Sequence, residues 1–364
     1  NTDGMIYLSD QGSAFEDYPG DKPVQKDQTI GGTALYNYTF TEHYDKGLGV
    51  KPNTTIRYYL PEGTEAFKAV PTITDFVRGQ DPQETAAEIT FRVYLDGELK
   101  QTVTLNNEKP TGDELDIAIG GQSVLDLVAV SENQNIQESA AWLDARILAE
   151  GQDVIPSDLP DNKLYLTSMQ AVDESGEVSA DQSTQNAAAL EIDGHAFRRG
   201  IGSNGSSEVT YELSGLYEKL DAVIGIQDGN SGSAVFKVYL DDSQTPVFEH
   251  TADADSGEEK VSIDLSVDGK RADRIRIVTE GDTHSVWGDM ILTIGDDVDL
   301  TDPAIIAKKI ASAEDIGLGQ KEYNLPEIPV KNADDYTIEI ASSSEEAVLA
   351  LDGAITLDDN EHDI

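Results

Sequence analysis

Residues Phe91-Arg92-Val93-Tyr94-Leu95-Asp96 and residues Phe236-Lys237-Val238-Tyr239-Leu240-Asp241 carry one pattern twice. In the second, Phe236, Val238 and Leu240 fall on one face of an extended chain, and Lys237 and Tyr239 on the other. That is the period of a half-buried antiparallel strand. Further matches flank the pair in the same order. Tyr7-Leu-Ser-Asp10 answers Tyr165-Leu-Thr-Ser168, and Lys46-Gly-Leu-Gly49 answers Arg199-Gly-Ile-Gly202. Trp142-Leu-Asp144 answers Trp287-Gly-Asp289, and these are the only two tryptophans of the chain. Four blocks in one order indicate a duplicated unit.

Each copy reads as all-β. The first shows strand patterns at Thr54–Leu60, Glu88–Leu95, Gln101–Leu105, Leu115–Ile119, Val124–Val130 and Trp142–Leu148. The second shows them at Glu208–Leu213, Ala222–Gln227, Ala234–Leu240, Val247–His250, Lys260–Leu265, Arg274–Val278 and Met290–Ile294. Short alternating segments between turn clusters, with almost no helical period, predict two tandem β-sandwiches. The units span 1–150 and 163–296, joined by a polar spacer at 151–162 that holds Pro156 and Pro160. Residues 297–322 form a second connector. There Thr301 or Asp302 caps a short helix that begins at Pro303 and ends near Ser312. Strand patterns return in 323–364, too few for a closed sandwich, so a partial Ig-like module is expected. Asn1 stands almost at a strand, and the chain is read as a piece of a longer polypeptide.

Composition narrows the function. The 364 residues hold 25 Lys and Arg against 70 Asp and Glu, a net charge of −45. Such a surface repels nucleic-acid phosphates and anionic lipid, and no apolar run nears the ~20 residues of a membrane helix. There is no cysteine, so disulfides and thiolate chemistry are out. The five histidines are scattered, and no nucleophile elbow, P-loop or zinc-protease motif is present. Among so many carboxylates some pair falls at glycosidase spacing by chance, and nothing selects one. The fragment is therefore expected to be non-catalytic.

The blocks Tyr-Leu-Ser-Asp, Lys-Gly-Leu-Gly-Val, Phe-Arg-Val-Tyr-Leu-Asp-Gly and Trp142-Leu-Asp-Ala-Arg146 together resemble the NPCBM family, grouped as carbohydrate-binding module family 51. The likeness covers roughly 4–150 and, more loosely, 163–296. The tail, with Tyr323-Asn-Leu-Pro and Val348-Leu-Ala-Leu-Asp-Gly, resembles an atrophied bacterial Ig-like domain. The resemblance implies galactose-binding-like sandwiches attached to secreted or cell-surface bacterial glycoside hydrolases. It implies galactose-containing host or mucin glycans as ligands, and a catalytic domain in the same polypeptide as neighbour. Structural spacers, or a protein-binding adhesin segment, are the alternatives. The sequence departs from the family where it commonly writes Gly-Leu-Gly-Val-His-Ala: the histidine place is Lys51 in copy one and Asn204 in copy two. The family's histidine three residues before the late tryptophan is kept as His284, while copy one has Ser139.

The candidate sugar-binding residues are thus Trp287, His284, Asp289 and Asn204 in copy two, and Trp142, Asp144 and Lys51 in copy one. An indole face stacks on a sugar's apolar face, and a carboxylate accepts from two adjacent hydroxyls. Equally, the tryptophans fill the interior, the aspartates brace loops, and Asn204 serves a turn. The Gly-x-Gly pairs read as backbone requirements, with no helix following for a dinucleotide fingerprint. Asp75 and Asp228, at matching places, with the oxygen-rich run Asp228-Gly-Asn230-Ser-Gly, make a structural calcium ion the one candidate cofactor.

Overall fold

The computed structural model describes residues 4–37, 41–74, 88–106, 108–131 and 139–299. The connector helix near Pro303 and the Ig-like segment at 323–364 lie outside them. Two β-sandwich modules follow one another. The described residues are helical only in two short 3-10 turns, Leu8–Asp10 and Leu166–Ser168, which are the paired Tyr-Leu blocks.

In the first module one sheet orders Leu115–Ala118, Thr64–Thr74, Ser139–Ala149, Gly47–Val50 and Gln25–Lys26, with Met5–Tyr7 also pairing to Ser139–Ala149. The facing sheet orders Glu98–Leu105, Ile89–Leu95, Val124–Val130, Thr54–Tyr59 and Phe15–Asp17. In the second module the two layers are one continuous sheet. The long strand Gly200–Glu212 pairs through its first half with His284–Ile294 and through its second half with Arg274–Gly281. It therefore belongs to both layers. The equivalent strand of module one breaks into Gly47–Val50 and Thr54–Tyr59. Pro52 cannot donate to a ladder there, and Asn53 sits at φ 66.

The alternation of the two opening stretches is as the sequence reads. Phe91, Val93 and Leu95 enter the first core; Phe236, Val238 and Leu240 enter the second. The repeated phenylalanine and the repeated tryptophan are contact partners. Phe91 meets Trp142 edge-on with centroids 5.0 Å apart, and Phe236 meets Trp287 at 5.2 Å. Gly200, at φ 149, lets its strand approach so closely that a Cβ would lie 2.1 Å from the Trp287 carbonyl oxygen.

The outward faces differ between copies. Tyr239 is half-buried with Arg276 over its ring at 4.1 Å, whereas Tyr94 is buried and stacks on His195 of module two at 4.2 Å. Module two covers the outward sheet of module one here. The contact is built around Arg57, fully buried. Its guanidinium donates to Asp126 at 2.8 and 2.7 Å, to Asp289 of module two at 2.5 Å and through a second, shorter bond, and to Tyr165 at 3.3 Å. His195 places Nε2 3.3 Å from Asp126 and Nδ1 2.8 Å from Glu258. Tyr59, Val124, Tyr165 and Ile291 form an apolar patch beside this network. The joint is packed down as well, for Ile155 enters the core of module one.

Charge in this network is nearly balanced only if His195 is protonated. Burial of the ring opposes the charge, but Glu258 and Asp126 outweigh it and push the imidazole up to about 9. Burial likewise opposes ionisation of Asp126, yet Arg57 and His195 bring it down to about 2. Asp289 meets the same burial with less compensation and is pushed up.

Three outcomes are expected. Arg57→Ala leaves two buried carboxylates without their cation and costs about 3–5 kcal/mol, read as a lower denaturant midpoint; an unchanged midpoint contradicts the clasp. For pH, the histidine is raised above its ordinary 6.5, so its contribution is complete below 6.5 and is lost as pH rises through about 9. Thermal stability should therefore fall between pH 7 and 10 in the native chain, and fall less in His195→Gln. Thirdly, Trp287 Nε1 donates to Thr279 Oγ1 at 3.0 Å, but Ala129 holds the place of Thr279 in module one. Trp142 Nε1 is there buried without a hydrogen-bond partner among the described residues. Ala129→Ser should raise the unfolding midpoint of module one by about 1 kcal/mol of stability; a lower midpoint would show that the extra oxygen does not fit.

Candidate functional site

Three neighbouring strands of module two bring polar residues into one row. In the pairing of Gly200–Glu212 with His284–Ile294, Asn204 stands opposite His284. In the pairing with the edge strand Asp173–Ala180, Glu177 stands opposite Asn204. Directly paired residues project from the same face, so Glu177, Asn204 and His284 lie side by side. Asn204 Nδ2 donates to Glu177 at 2.8 Å, and His284 Nδ1 meets Thr184 Oγ1 at 2.8 Å. Asn204 and His284 are half-buried and Glu177 is exposed. The row is prolonged on the far side of His284 by Gln227, whose backbone N–H donates to the His284 carbonyl at 3.1 Å. Past it, Asn230 Nδ2 donates to Gln185 at 2.8 Å. A carboxylate, an amide, an imidazole and a hydroxyl in one open row offer both donors and acceptors to a polyhydroxyl ligand.

The sequence places Asn204 and His284 as candidates, and the sheet brings these two together. Glu177 and Thr184 were not readable, since both sit in polar stretches with no pattern to mark them. In module one the equivalent of Asn204 is Lys51, half-buried, opposite the strand that begins at Ser139. The edge strand that carries Glu177 is split in module one into Phe15–Asp17 and Gln25–Lys26. Among the described residues, neither piece of this split edge strand pairs with Lys51, so the counterpart of Glu177 is missing there.

The other candidates lie elsewhere. Trp142 and Trp287 are both 0% exposed, each edge-on to two phenylalanines: Phe91 and Phe67 for the first, Phe236 and Phe248 for the second. The expectation of an open indole is corrected, because neither ring has a face left for a sugar. Nor do Asp144 and Asp289 share the tryptophan face. A bulge places Asp289 and Met290 opposite the single residue Ala222, with Asp289 at φ 47, and the same irregularity holds Asp144 at φ 54. The extra residue reverses the alternation and turns each carboxylate outward. Asp289 is there clasped by Arg57 and closed off by module one; Asp144 is held by Arg146 at 2.5 Å. Gly288, next to Asp289, has no room for a side chain, since the ring of Phe197 lies 2.6 Å from where a Cβ would be.

The donor set at Asp228 does not fit a calcium ion. Its two oxygens accept the backbone N–H groups of Asp193 and Gly194, each at 2.7 Å, and so cap the hairpin turn between Leu190–Ile192 and His195–Phe197. Asp75 lies outside the described residues, and among those described no group of three or more His, Cys, Asp or Glu is set to hold a metal ion. No described helix is long and apolar enough to cross a membrane.

Comparison with known proteins returns the NPCBM/NEW2 domain twice, at residues 4–148 and 162–293. A "Putative endo-alpha-N-acetylgalactosaminidase" of Renibacterium salmoninarum is 31% identical over 133 residues, which is 35% of this chain and 8% of that protein. The chain thus matches only a small part of that relative's length. Among solved structures, the tandem CBM51 modules of a family 98 glycoside hydrolase from Streptococcus pneumoniae are 17% identical, covering 80% of this chain and 99% of theirs at a TM-score of 0.35. A CBM51 module of a Clostridium perfringens family 95 enzyme, in complex with methyl-galactose, is 25% identical over 36% of this chain and 99% of its own, at a TM-score of 0.31. With the family pattern filling both sandwiches in turn, the chain belongs to the NPCBM/NEW2 domain family and carries two of its domains in tandem.

Proposed function

We propose that the chain is a non-catalytic glycan-binding region of a secreted bacterial glycoside hydrolase, reading neutral galactose-containing termini. The row Glu177–Asn204–His284–Thr184 at the edge of module two is where it does so. The observation that carries this reading is the alignment of Asn204 with His284 on adjacent strands. Family pattern placed the two as candidates, and the sheet makes them neighbours with a carboxylate on one side and a hydroxyl on the other. A net charge of −45 favours neutral ligands over sialylated or sulfated ones at short range. Module one supports docking rather than recognition: Lys51 lacks the counterpart of Glu177, and Asp144 is taken by Arg146. In the parent polypeptide, outside the cell, the region would hold a catalytic domain against host or mucin glycans.

One finding favours a second reading, in which both modules are architectural spacers. The two tryptophans are interior, and the fully buried Arg57 clasp makes a stiff double unit. Titration calorimetry of the whole chain with methyl galactoside separates the two. On the glycan-binding reading, His284→Ala and Asn204→Ala each weaken binding by roughly tenfold, about 1.4 kcal/mol, with the melting midpoint unchanged, and Lys51→Ala has no effect. Silence of the native chain across a broad array of neutral galactosides would leave the spacer.

A further inference from the structure

Docking of the modules encloses a cleft of about 780 Å³, within the range of ligand pockets. Module one contributes Asp17, Asn53 and Arg92 to its walls; module two contributes Glu191 and Asp228. Most of these groups have partners. Arg92 is held by the backbone oxygen and carboxylate of Asp193, at 2.7 and 2.9 Å. Asn53 Oδ1 accepts the Ser131 N–H at 3.0 Å, and Asp228 caps its hairpin. Asp17 and Glu191 differ. They stand on opposite modules, half-buried, and neither carboxylate has a hydrogen-bond or ion-pair partner among the described residues. Burial, then the nearness of Asp228 and Asp17, pushes Glu191 up to about 7; burial pushes Asp17 up as well. Two docked domains thus hold a pair of acceptors across a gap and give them no donor.

Hydrogen bonds tie the wall of the cleft to the strands that carry the polar row. Gln227, next in line after His284, accepts the Glu191 N–H at 3.4 Å and donates to the Ala189 carbonyl at 3.1 Å. Asp228 follows it and donates its own N–H to the Glu191 carbonyl at 3.0 Å. Gln227 is itself buried and its amide is spent on backbone groups, so these bonds fix the cleft wall relative to the row.

Resting on the glycan-binding reading, we propose that the cleft is a second subsite, and that the ligand is a neutral oligosaccharide held by both modules at once. A terminal sugar sits at the Asn204–His284 row, and an inner residue donates its hydroxyls to Asp17 and Glu191. Recognition is then a property of the docked pair, which neither module has alone. The acidic walls, with Arg92 already neutralised by Asp193, exclude anionic sugars from the gap.

The test is calorimetry on the whole chain with two probes: methyl galactoside, and neutral galactose-terminated tri- and tetrasaccharides. The native chain should bind the longer probes about tenfold tighter than the monosaccharide. Glu191→Gln and Asp17→Asn should each remove most of that gain and leave methyl-galactoside affinity unchanged, with melting midpoints checked for each variant. The gain should also vary with pH around 7, where Glu191 titrates. Equal affinity for short and long probes in the native chain overturns the subsite while leaving the outer row intact. A length-dependent gain that survives both substitutions places the extra contacts elsewhere and also overturns it. If calcium alone abolishes the Glu191 titration, the gap is a cation site and the proposal falls. No binding of any saccharide removes the outer row and the subsite together.

Discussion

The arrangement of this molecule depends on one guanidinium. Arg57 is fully enclosed, and it holds a carboxylate from its own module, Asp126, and one from the next, Asp289. Planar bidentate geometry suits Arg to this place, and a lysine could not grip two carboxylates with fixed orientation. Once the three charges are out of water the contact is all-or-none, because any partial opening strands a charge in a dry site. His195, stacked between Tyr94 and Phe197 and flanked by Asp126 and Glu258, supplies the second positive charge. At neutral pH the pair of sandwiches is therefore clasped through paired buried charges.

Duplication gave both copies the same frame, and small backbone events gave them different outer surfaces. The bulge at Asp144 and Asp289 separates the tryptophan from the aspartate that follows it two residues on. One side chain closes the core, and the other faces out. In module two that outward carboxylate became a docking point. The edge strand is whole in module two, and so Glu177 meets Asn204; in module one it is split, and Lys51 has no such neighbour. The two copies thus present different outer surfaces over a shared core plan.

Much of this was legible in the residues. Alternation in 91–96 and 236–241 fixed the facing of two strands, and the recurring blocks marked out two sandwiches. Turn clusters located most of the other strands of six or more residues, while the strands of two to four residues largely escaped. Thr64–Thr74 escaped notice although it lies centrally in its sheet, because Pro71 argues against a central strand. Asp173–Ala180 escaped because an exposed edge strand of charged and small residues has no apolar period. The tryptophans were open to two readings, since an indole before a last strand suits a core or a sugar equally, and only the neighbouring phenylalanines decide. Asn204 with His284 was within reach of the family pattern. Arg57 was not: an arginine between Ile56 and Tyr58 looks like any outward strand residue. Its partner in the other module lies far away in the chain, with nothing local to mark it.

The docking is head-to-tail: the sheet face of one module meets a different face of the other. Contacts of this kind do not close on themselves, and they invite copies to string into filaments. The equivalent places on the outer faces lack this contact. The place that Arg57 occupies is Thr210 in module two, which carries no charge to offer a further neighbour. The place that Asp289 occupies is Asp144 in module one, already neutralised from within its own strand by Arg146. The same substitutions that distinguish the copies thus leave neither outer face with the charged residues of the joint.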